Sequence, residues 1–260
     1  MKIALGQFQP VLGDKAKNLQ SIKQQMEQAA EQKADLILFP ELCLTGYFIQ
    51  DATDNLAEPV NGESVKQVQK WSKELNLYAV FTWPELKDDG LVYNSASLIS
   101  NTGDIVGIYR KVHLYDEEKL VFTPGERFKA FDTELGKIGL IICFDLDFPE
   151  SIRSLKIDQA DIVLCSTNNM EPYQDYQEAY LKSRSMENEI PVAICNRIGT
   201  ERDLTFFGES AIYSERGKNY IKLAEHPVTK TVEVPIRLKT DPNLQYVNNR
   251  RPVSYQLLSK

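Results

Sequence analysis

Short apolar runs alternate with amphipathic stretches along most of the chain, and the two spacings predict alternating strands and helices. Lys2-Ile3-Ala4-Leu5-Gly6-Gln7-Phe8 reads as a strand, and the Gly13-Asp14 turn that follows supplies an aspartate able to cap a helix starting near Lys15. Leu19, Ile22, Met26 and Ala29 recur at spacings of three and four, which puts them on one helical face with Lys and Gln outside. Asp35 to Phe39 then predicts a short buried strand. Val65, Val68, Trp71 and Leu75 mark the stripe of a second helix, and Tyr78 to Trp83 a further strand.

Leu91 to Ile99 and Asp104 to Arg110 read as paired strands across Ser100-Asn101-Thr102-Gly103, a stretch of the small and polar residues that hairpin turns favour. Lys137 to Ile142 is a glycine-interrupted apolar strand, after which Pro149 suits the first turn of a helix carrying Ile152 and Leu155. The unit then repeats, with a strand over Asp161 to Leu164, a helix over Tyr173 to Asn188 and a strand over Pro191 to Cys195. Short strands are expected around Ala211, Ile221 and Val232, separated by Gly217 and Pro227. Interleaving without a linker or low-complexity tract predicts one layered domain over 1–260, with a core from about 2 to 236 and a C-terminal tail from 237 to 260.

Composition narrows the class. Hydrophobic residues at 42% and charged residues at 26% are the balance of a globular chain, not a disordered one. A net charge of −7 disfavours a nucleic-acid partner, which normally requires a basic face. No apolar run approaches the roughly 18–20 residues needed to cross a bilayer, and the N-terminus carries no signal-peptide pattern, so no membrane association and a cytoplasmic location are expected. Cys43, Cys143, Cys165 and Cys195 are widely spaced and expected to be reduced thiols. With only His113 and His226, a histidine-rich metal cluster is excluded, and cysteine chemistry must find another base.

Three reactive side chains each follow an apolar strand: Glu41 after Leu36-Ile37-Leu38-Phe39-Pro40, Lys111 after Ile105 to Arg110, and Cys143 after Lys137 to Ile142. Strand ends are where a rigid sheet can hold reacting groups in fixed geometry. Taken singly, each also fits a bland reading, as a solvated strand end or an inert buried thiol. Cys165 has nearly the local setting of Cys143. The helix that follows Cys143 lowers a nearby thiol's pKa through its N-terminal dipole, whereas Asp145 and Asp147 oppose thiolate formation, so the local sequence leaves the reactive cysteine open.

The wider pattern resolves it. Phe39-Pro40-Glu41-Leu42 with Thr45-Gly46-Tyr47, Tyr109 to Leu114, and Gly139 to Asp145 with Phe148-Pro149-Glu150 together resemble the nitrilase superfamily. Tyr93-Asn94-Ser95-Ala96, Thr123-Pro124-Gly125, Arg184 to Asn188 and Asn196 to Gly199 resemble further stretches, so the likeness runs from Lys2 to about Val234. The resemblance implies an α/β fold (α+β in some schemes), a four-layer α-β-β-α sandwich of two mixed sheets. It implies Cys143 as nucleophile, Glu41 as general base, Lys111 as the cation that stabilises the oxyanion, and a second glutamate at Glu118, with adjacent Glu117 competing for that role.

A carbon–nitrogen hydrolase of this kind needs no metal or cofactor, because a covalent thioester route divides a difficult displacement into two easier ones. The backbone N–H of Phe144 joins Lys111 as an oxyanion donor. Tyr47, Trp83, Asn168, Asn169, Met170, Tyr173 and Phe207 lie where relatives shape their pockets, and Tyr47, Asn168, Asn169 and Tyr173 are the expected substrate contacts. The Asn168 to Tyr173 stretch offers no arginine to clamp a carboxylate, which favours a small neutral amide or nitrile over a charged carbamoyl amino acid, unless Lys182 or Arg197 reaches the pocket. His113 alternates away from Lys111 and is expected to pack or hydrogen-bond, His226 to be exposed, and Arg153 and Arg184 to make structural ion pairs. The resemblance also implies a homodimer or higher oligomer, with Arg250 to Tyr255 reaching across the interface, and leaves a nitrilase, a carbamoyl amidohydrolase, an omega-amidase or a catalytically silent binding protein as alternatives.

Overall fold

The computed structural model describes residues 1–237 and 241–259; residues 238–240 and 260 of the expected tail lie outside the described residues. Strand β1 (Lys2–Gln7) leads to helix α1 (Lys15–Glu31), whose start is set by Asp14: its side chain accepts the backbone N–H of Lys17 at 3.0 Å. Then come β2 (Leu36–Leu38), the short α2 (Thr53–Leu56), α3 (Glu63–Glu74), β3 (Tyr78–Leu86), β4 (Val92–Ile99) and β5 (Ile105–Arg110). A 3₁₀ turn over Asp116–Leu120 separates these from β6 (Ala130–Thr133) and β7 (Gly136–Ile142). A second such turn, Cys143–Asp147, precedes α4 (Pro149–Ile157), β8 (Ile162–Thr167), α5 (Gln174–Asn188) and β9 (Val192–Asn196). The ribbon of β10 (Ile198–Glu201) and β11 (Leu204–Phe207), then β12 (Ala211–Tyr213), β13 (Asn219–Lys222) and β14 (Val228–Glu233), complete the strands.

Two six-stranded mixed sheets stack face to face, ordered β14-β1-β2-β3-β4-β5 and β13-β12-β9-β8-β7-β6. The layering follows from alternation along each strand. Ile3, Leu5, Leu36 and Leu38 of the first sheet meet Ile138, Leu140, Ile142, Ile162 and Leu164 of the second in a shared inner core. Ala4, Ile37, Ala79 and Phe81 point the opposite way, onto Leu19, Ile22 and Met26 of α1 and Val65 and Val68 of α3. Ile141, Val163 and Ile194 face Ile152 and Leu155 of α4 and Leu181 of α5. This is the α-β-β-α sandwich, and each fully buried Leu or Ile in it contributes about 1.5–3 kcal/mol relative to exposure.

The glycine inside β7 has a packing reason: a Cβ on Gly139 would stand 2.8 Å from Cδ1 of Leu155, so its absence lets α4 lie close on the sheet. Strand direction then places the candidate site. β1, β2 and β3 run parallel, and β5 regains their direction after two antiparallel reversals, so β2 and β5 end at the same edge of the first sheet. β7, β8 and β9 are likewise parallel. Strand β6 and the β10–β11 ribbon were not foreseen, the latter being a short antiparallel pair outside both main sheets.

Candidate active site

Glu41, three residues beyond the end of β2, and Lys111, the residue after β5, leave the first sheet at a common edge, and both are fully buried. Lys111 Nζ lies 2.7 Å from Glu41 Oε1 and 2.7 Å from Glu118 Oε1. Glu118 is therefore the acid drawn to Lys111, whereas Glu117 is exposed and faces Gln50 at 3.5 Å. Glu118 is itself held by Tyr47, whose hydroxyl donates to Oε1 at 2.9 Å, and by the backbone N–H of Tyr115, donating to Oε2 at 3.1 Å. Asn94 Nδ2 donates to Glu41 Oε1 at 2.7 Å, while Glu41 Oε2 is buried without a hydrogen-bond partner among the described residues.

Electrostatics in this closed space follow from burial and proximity. Burial pushes the Glu41 carboxyl up, Lys111 pulls it down, and the negative Glu118 raises it again, leaving it at about 7 against an ordinary 4.5. For Lys111, burial opposes the ammonium, but the carboxylates of Glu118 and Glu41 outweigh it and hold its pKa well above the usual lysine value. An ammonium has three donors, and two are committed to these carboxylates, so one is left for another acceptor.

Cys143 sits on a strained corner where β7 ends. Its φ is +46°, a left-handed conformation that costs a non-glycine residue about 1–2 kcal/mol. Asp145, fully buried two residues later, holds the corner in place. Its Oδ2 accepts the N–H of Ile142 at 3.0 Å and the hydroxyl of Tyr109, and its Oδ1 takes the backbone N–H of His113 at 2.9 Å and lies 2.9 Å from that ring's Nδ1. His113 also stacks on Phe148 with ring centroids 3.7 Å apart, so its role is packing and hydrogen bonding, as the alternation predicts. The corner of the second sheet is thus tied to the lysine-bearing strand end of the first, and Glu41 N donates to Thr167 O at 3.4 Å across the same gap.

The Cys143 thiol is pushed up, first by burial and then by the Glu41 carboxylate, against a smaller downward pull from Lys111. The sequence left the direction open between the dipole of the following helix and the nearby aspartates; burial, which neither reading weighed, is the largest influence, and the direction is upward. Asp145 spends its charge on the donors around the corner. Cys143 alone among the four cysteines is not fully enclosed; Cys43, Cys165 and Cys195 are buried, and Cys165 points from β8 into the layer covered by α4 and α5.

Cys143 opens onto a cavity of about 230 Å³ whose walls include Tyr47, Tyr115, Phe144, Asn169, Met170 and Tyr173. Tyr176, Gln177 and Tyr180 of α5 and the carboxylate of Asp147 complete it, and among the described residues no lysine or arginine lines it. The structure thus brings Tyr47, Phe144, Asn169 and Tyr173 together around one cavity. It does not place the others there. Asn168 is fully buried, with both polar atoms of its amide unpartnered among the described residues, and does not line the cavity. Trp83 stacks on Phe81 in the layer under α1 and α3, and Phe207 is buried; neither lines the cavity.

Arg197 is also fully enclosed, paired with Glu201 and stacked over Phe206, and Lys182 is exposed on α5. Arg184 donates to the carbonyls of Leu146 and Asp147, at 3.1 and 2.7 Å, behind the cavity wall, and Arg153 donates to Glu187 O at 2.6 Å. His226 is exposed. Asn94 and Gln177 are residues around this site that the sequence reading left without a role, and Asp145 was weighed there only as a charge opposing the thiolate. Their partners lie on other elements, and local spacing carries no signal of them.

Comparison with known proteins places this geometry. The model of the carbon-nitrogen hydrolase family matches residues 2–239. A probable nitrilase of Schizosaccharomyces pombe is 36% identical over 221 residues, covering 83% of this chain and 81% of that protein. An (R)-stereoselective amidase from a Pseudomonas species is 30% identical over 237 residues, 91% of this chain and 85% of the relative. An amidase from a Nesterenkonia species superposes with a TM-score of 0.91 at 28% identity, covering 99% of this chain and 96% of that one. Mutants of the Nesterenkonia amidase carry acrylamide by Michael addition, or the acetamide moiety of fluoroacetamide, at the active-site cysteine, and others hold acrylamide or butyramide in complex.

Proposed function

The chain belongs to the carbon–nitrogen hydrolase family of the nitrilase superfamily and is an enzyme of that kind, and on that premise we propose that it hydrolyses a small neutral primary amide to a carboxylic acid and ammonia. The observation that carries this reading is the buried Lys111 ammonium, gripping Glu41 and Glu118 with one donor to spare beside a cysteine that opens to a cavity. The adducts at the cysteine of the structural relative support Cys143 as nucleophile.

In the proposed sequence the Cys143 thiol gives its proton to Glu41 as sulfur bonds to the amide carbon. The oxygen turns negative and is held by the third N–H of Lys111 and the backbone N–H of Phe144, each such donor being worth about 3–4 kcal/mol in the barrier. Collapse breaks the carbon–nitrogen bond, and Glu41 returns the proton to the departing nitrogen, releasing ammonia. Water then gives a proton to Glu41 and attacks the thioester carbon; the acid departs and sulfur regains its proton. Glu118 holds Lys111 in place throughout.

The aromatic walls, with no lysine or arginine among the described lining residues, support an uncharged acyl group over a carbamoyl amino acid, whose carboxylate requires a cation. Incubating the protein with propionamide and with propionitrile and assaying ammonia tests the reading. Ammonia from propionamide is the expected result, and ammonia from neither substrate overturns it.

A further inference from the structure

One acceptor faces the nucleophile, and its identity is fixed by a chain of hydrogen bonds that can run in only one direction. Asn169 Oδ1 lies 3.4 Å from Cys143 Sγ. The other end of the same amide, Nδ2, donates to Gln177 Oε1 at 2.8 Å, and Gln177 Nε2 donates to the main-chain carbonyl of Glu209 at 3.2 Å. A carbonyl can only accept, so it requires the nitrogen of Gln177, which turns the Gln177 oxygen to Asn169 and requires the nitrogen there. The Asn169 oxygen is left to accept from the Cys143 thiol, 3.4 Å away, and from whatever enters the cavity beside it.

The backbone of Asn169 is pinned just as firmly. Asn196, fully buried, accepts the Asn169 N–H through Oδ1 at 2.9 Å and donates through Nδ2 to the Asn169 carbonyl at 3.0 Å and to Gly208 O at 2.8 Å. Gln177, also buried, cannot swing aside without giving up both of its partners. The site beside the sulfur therefore offers a neutral acceptor whose orientation is set from three sides.

We propose that Asn169, oriented by Gln177, determines specificity by accepting a hydrogen bond from the N–H of the scissile amide, and that it selects primary amides against nitriles. The inference rests on the hydrolase reading above and adds a substrate preference to it. A primary amide brings two N–H donors on the nitrogen next to the carbon that sulfur attacks. A nitrile nitrogen carries a lone pair and no hydrogen, so it meets the Asn169 oxygen as acceptor against acceptor and leaves it unsatisfied. Gln177 is a positioning residue: although it lines the cavity, both polar ends of its amide are committed, to Asn169 and to Glu209.

The experiment compares kcat/KM for propionamide and for methyl propionate, which has the same acyl group and no N–H, in the wild type and in the Asn169→Ala and Gln177→Leu variants. Asn169→Ala is expected to lower the amide value about tenfold more than the ester value, the size of one lost neutral hydrogen bond. Gln177→Leu shifts the amide-to-ester ratio the same way by freeing the Asn169 side chain. Equal falls for both substrates in both variants, or an unchanged amide value, overturn the assignment to Asn169 and leave the hydrolase reading intact. A wild type that turns over neither substrate overturns both.

Discussion

The carboxylate of Asp145 takes hold of His113 twice, through the backbone N–H at 2.9 Å and beside the ring Nδ1 at 2.9 Å, although the two residues stand 32 positions apart. This contact fastens the corner that carries Cys143 to the segment following Lys111. Asp145→Ala removes an acceptor from Ile142, Tyr109 and His113 at once, and loss of about 3 kcal/mol or more of stability is expected in urea unfolding. Turnover falls by about ten- to a hundredfold, because the sulfur moves relative to the lysine. Full activity in a folded Asp145→Ala protein counts against the positioning role.

Alkylation distinguishes the cysteines. Brief treatment of the native protein with iodoacetamide is expected to add one group, mapped by mass spectrometry to Cys143, while buried Cys43, Cys165 and Cys195 remain unmodified until the protein unfolds. Modification of Cys165 in the native state is the result that removes Cys143 as the nucleophile.

The pH profile follows from the displaced carboxyl of Glu41. Because its pKa is raised to about 7, the base is ionised only above that value, so kcat/KM is expected to be half-maximal near pH 7 and to fall tenfold per unit below it. Stability runs in the opposite sense. The fold binds this proton more tightly than the unfolded chain, so the contribution of Glu41 is full below its ordinary 4.5 and is lost as pH rises through about 7. Glu41→Gln abolishes the acid limb and leaves at most about a hundredth of the activity. A wild-type profile flat from pH 5 to 8 refutes the assignment.

Replacing the cation separates its two tasks. Lys111→Met leaves Glu41 and Glu118 buried together without a counter-ion, and destabilisation of about 3–5 kcal/mol is expected at pH 8. Part of that loss returns at pH 5, where the Glu41 carboxyl takes up a proton. Turnover drops about 100- to 1000-fold at either pH, since the proposed oxyanion donor is gone. Thermal melts at the two pH values, paired with ammonia release, read the two effects independently.

Much of this was legible in the chain. The three-and-four spacing of Leu19, Ile22, Met26 and Ala29 gave α1 because one apolar face per helix is what packing on a sheet demands, and all four are buried. Glu41, Lys111 and Glu118 were singled out through the family resemblance, and the structure brings each carboxylate within hydrogen-bond distance of Lys111. Sequence spacing was silent where partners are remote. Asn168 and Asn169 look equivalent in the chain, yet one is sealed inside and the other lines the cavity, and Asn94, Asp145 and Gln177 acquire meaning only through residues on other strands. The thiol's direction of shift was left open for the same reason, since the sequence shows the adjacent turn and aspartates but not the desolvation around the sulfur.

Glu41 and Lys111 belong to one sheet and Cys143 to the other, so the inner core works as a spacer whose thickness gauges the reach from sulfur to base. Ile3, Leu5, Ile138, Leu140 and their neighbours set that thickness without meeting substrate. A bulkier side chain among them would pry the two halves of the machinery apart, and a smaller one would let them sag together. Catalytic rate is therefore a finer ruler of this interior than the melting temperature.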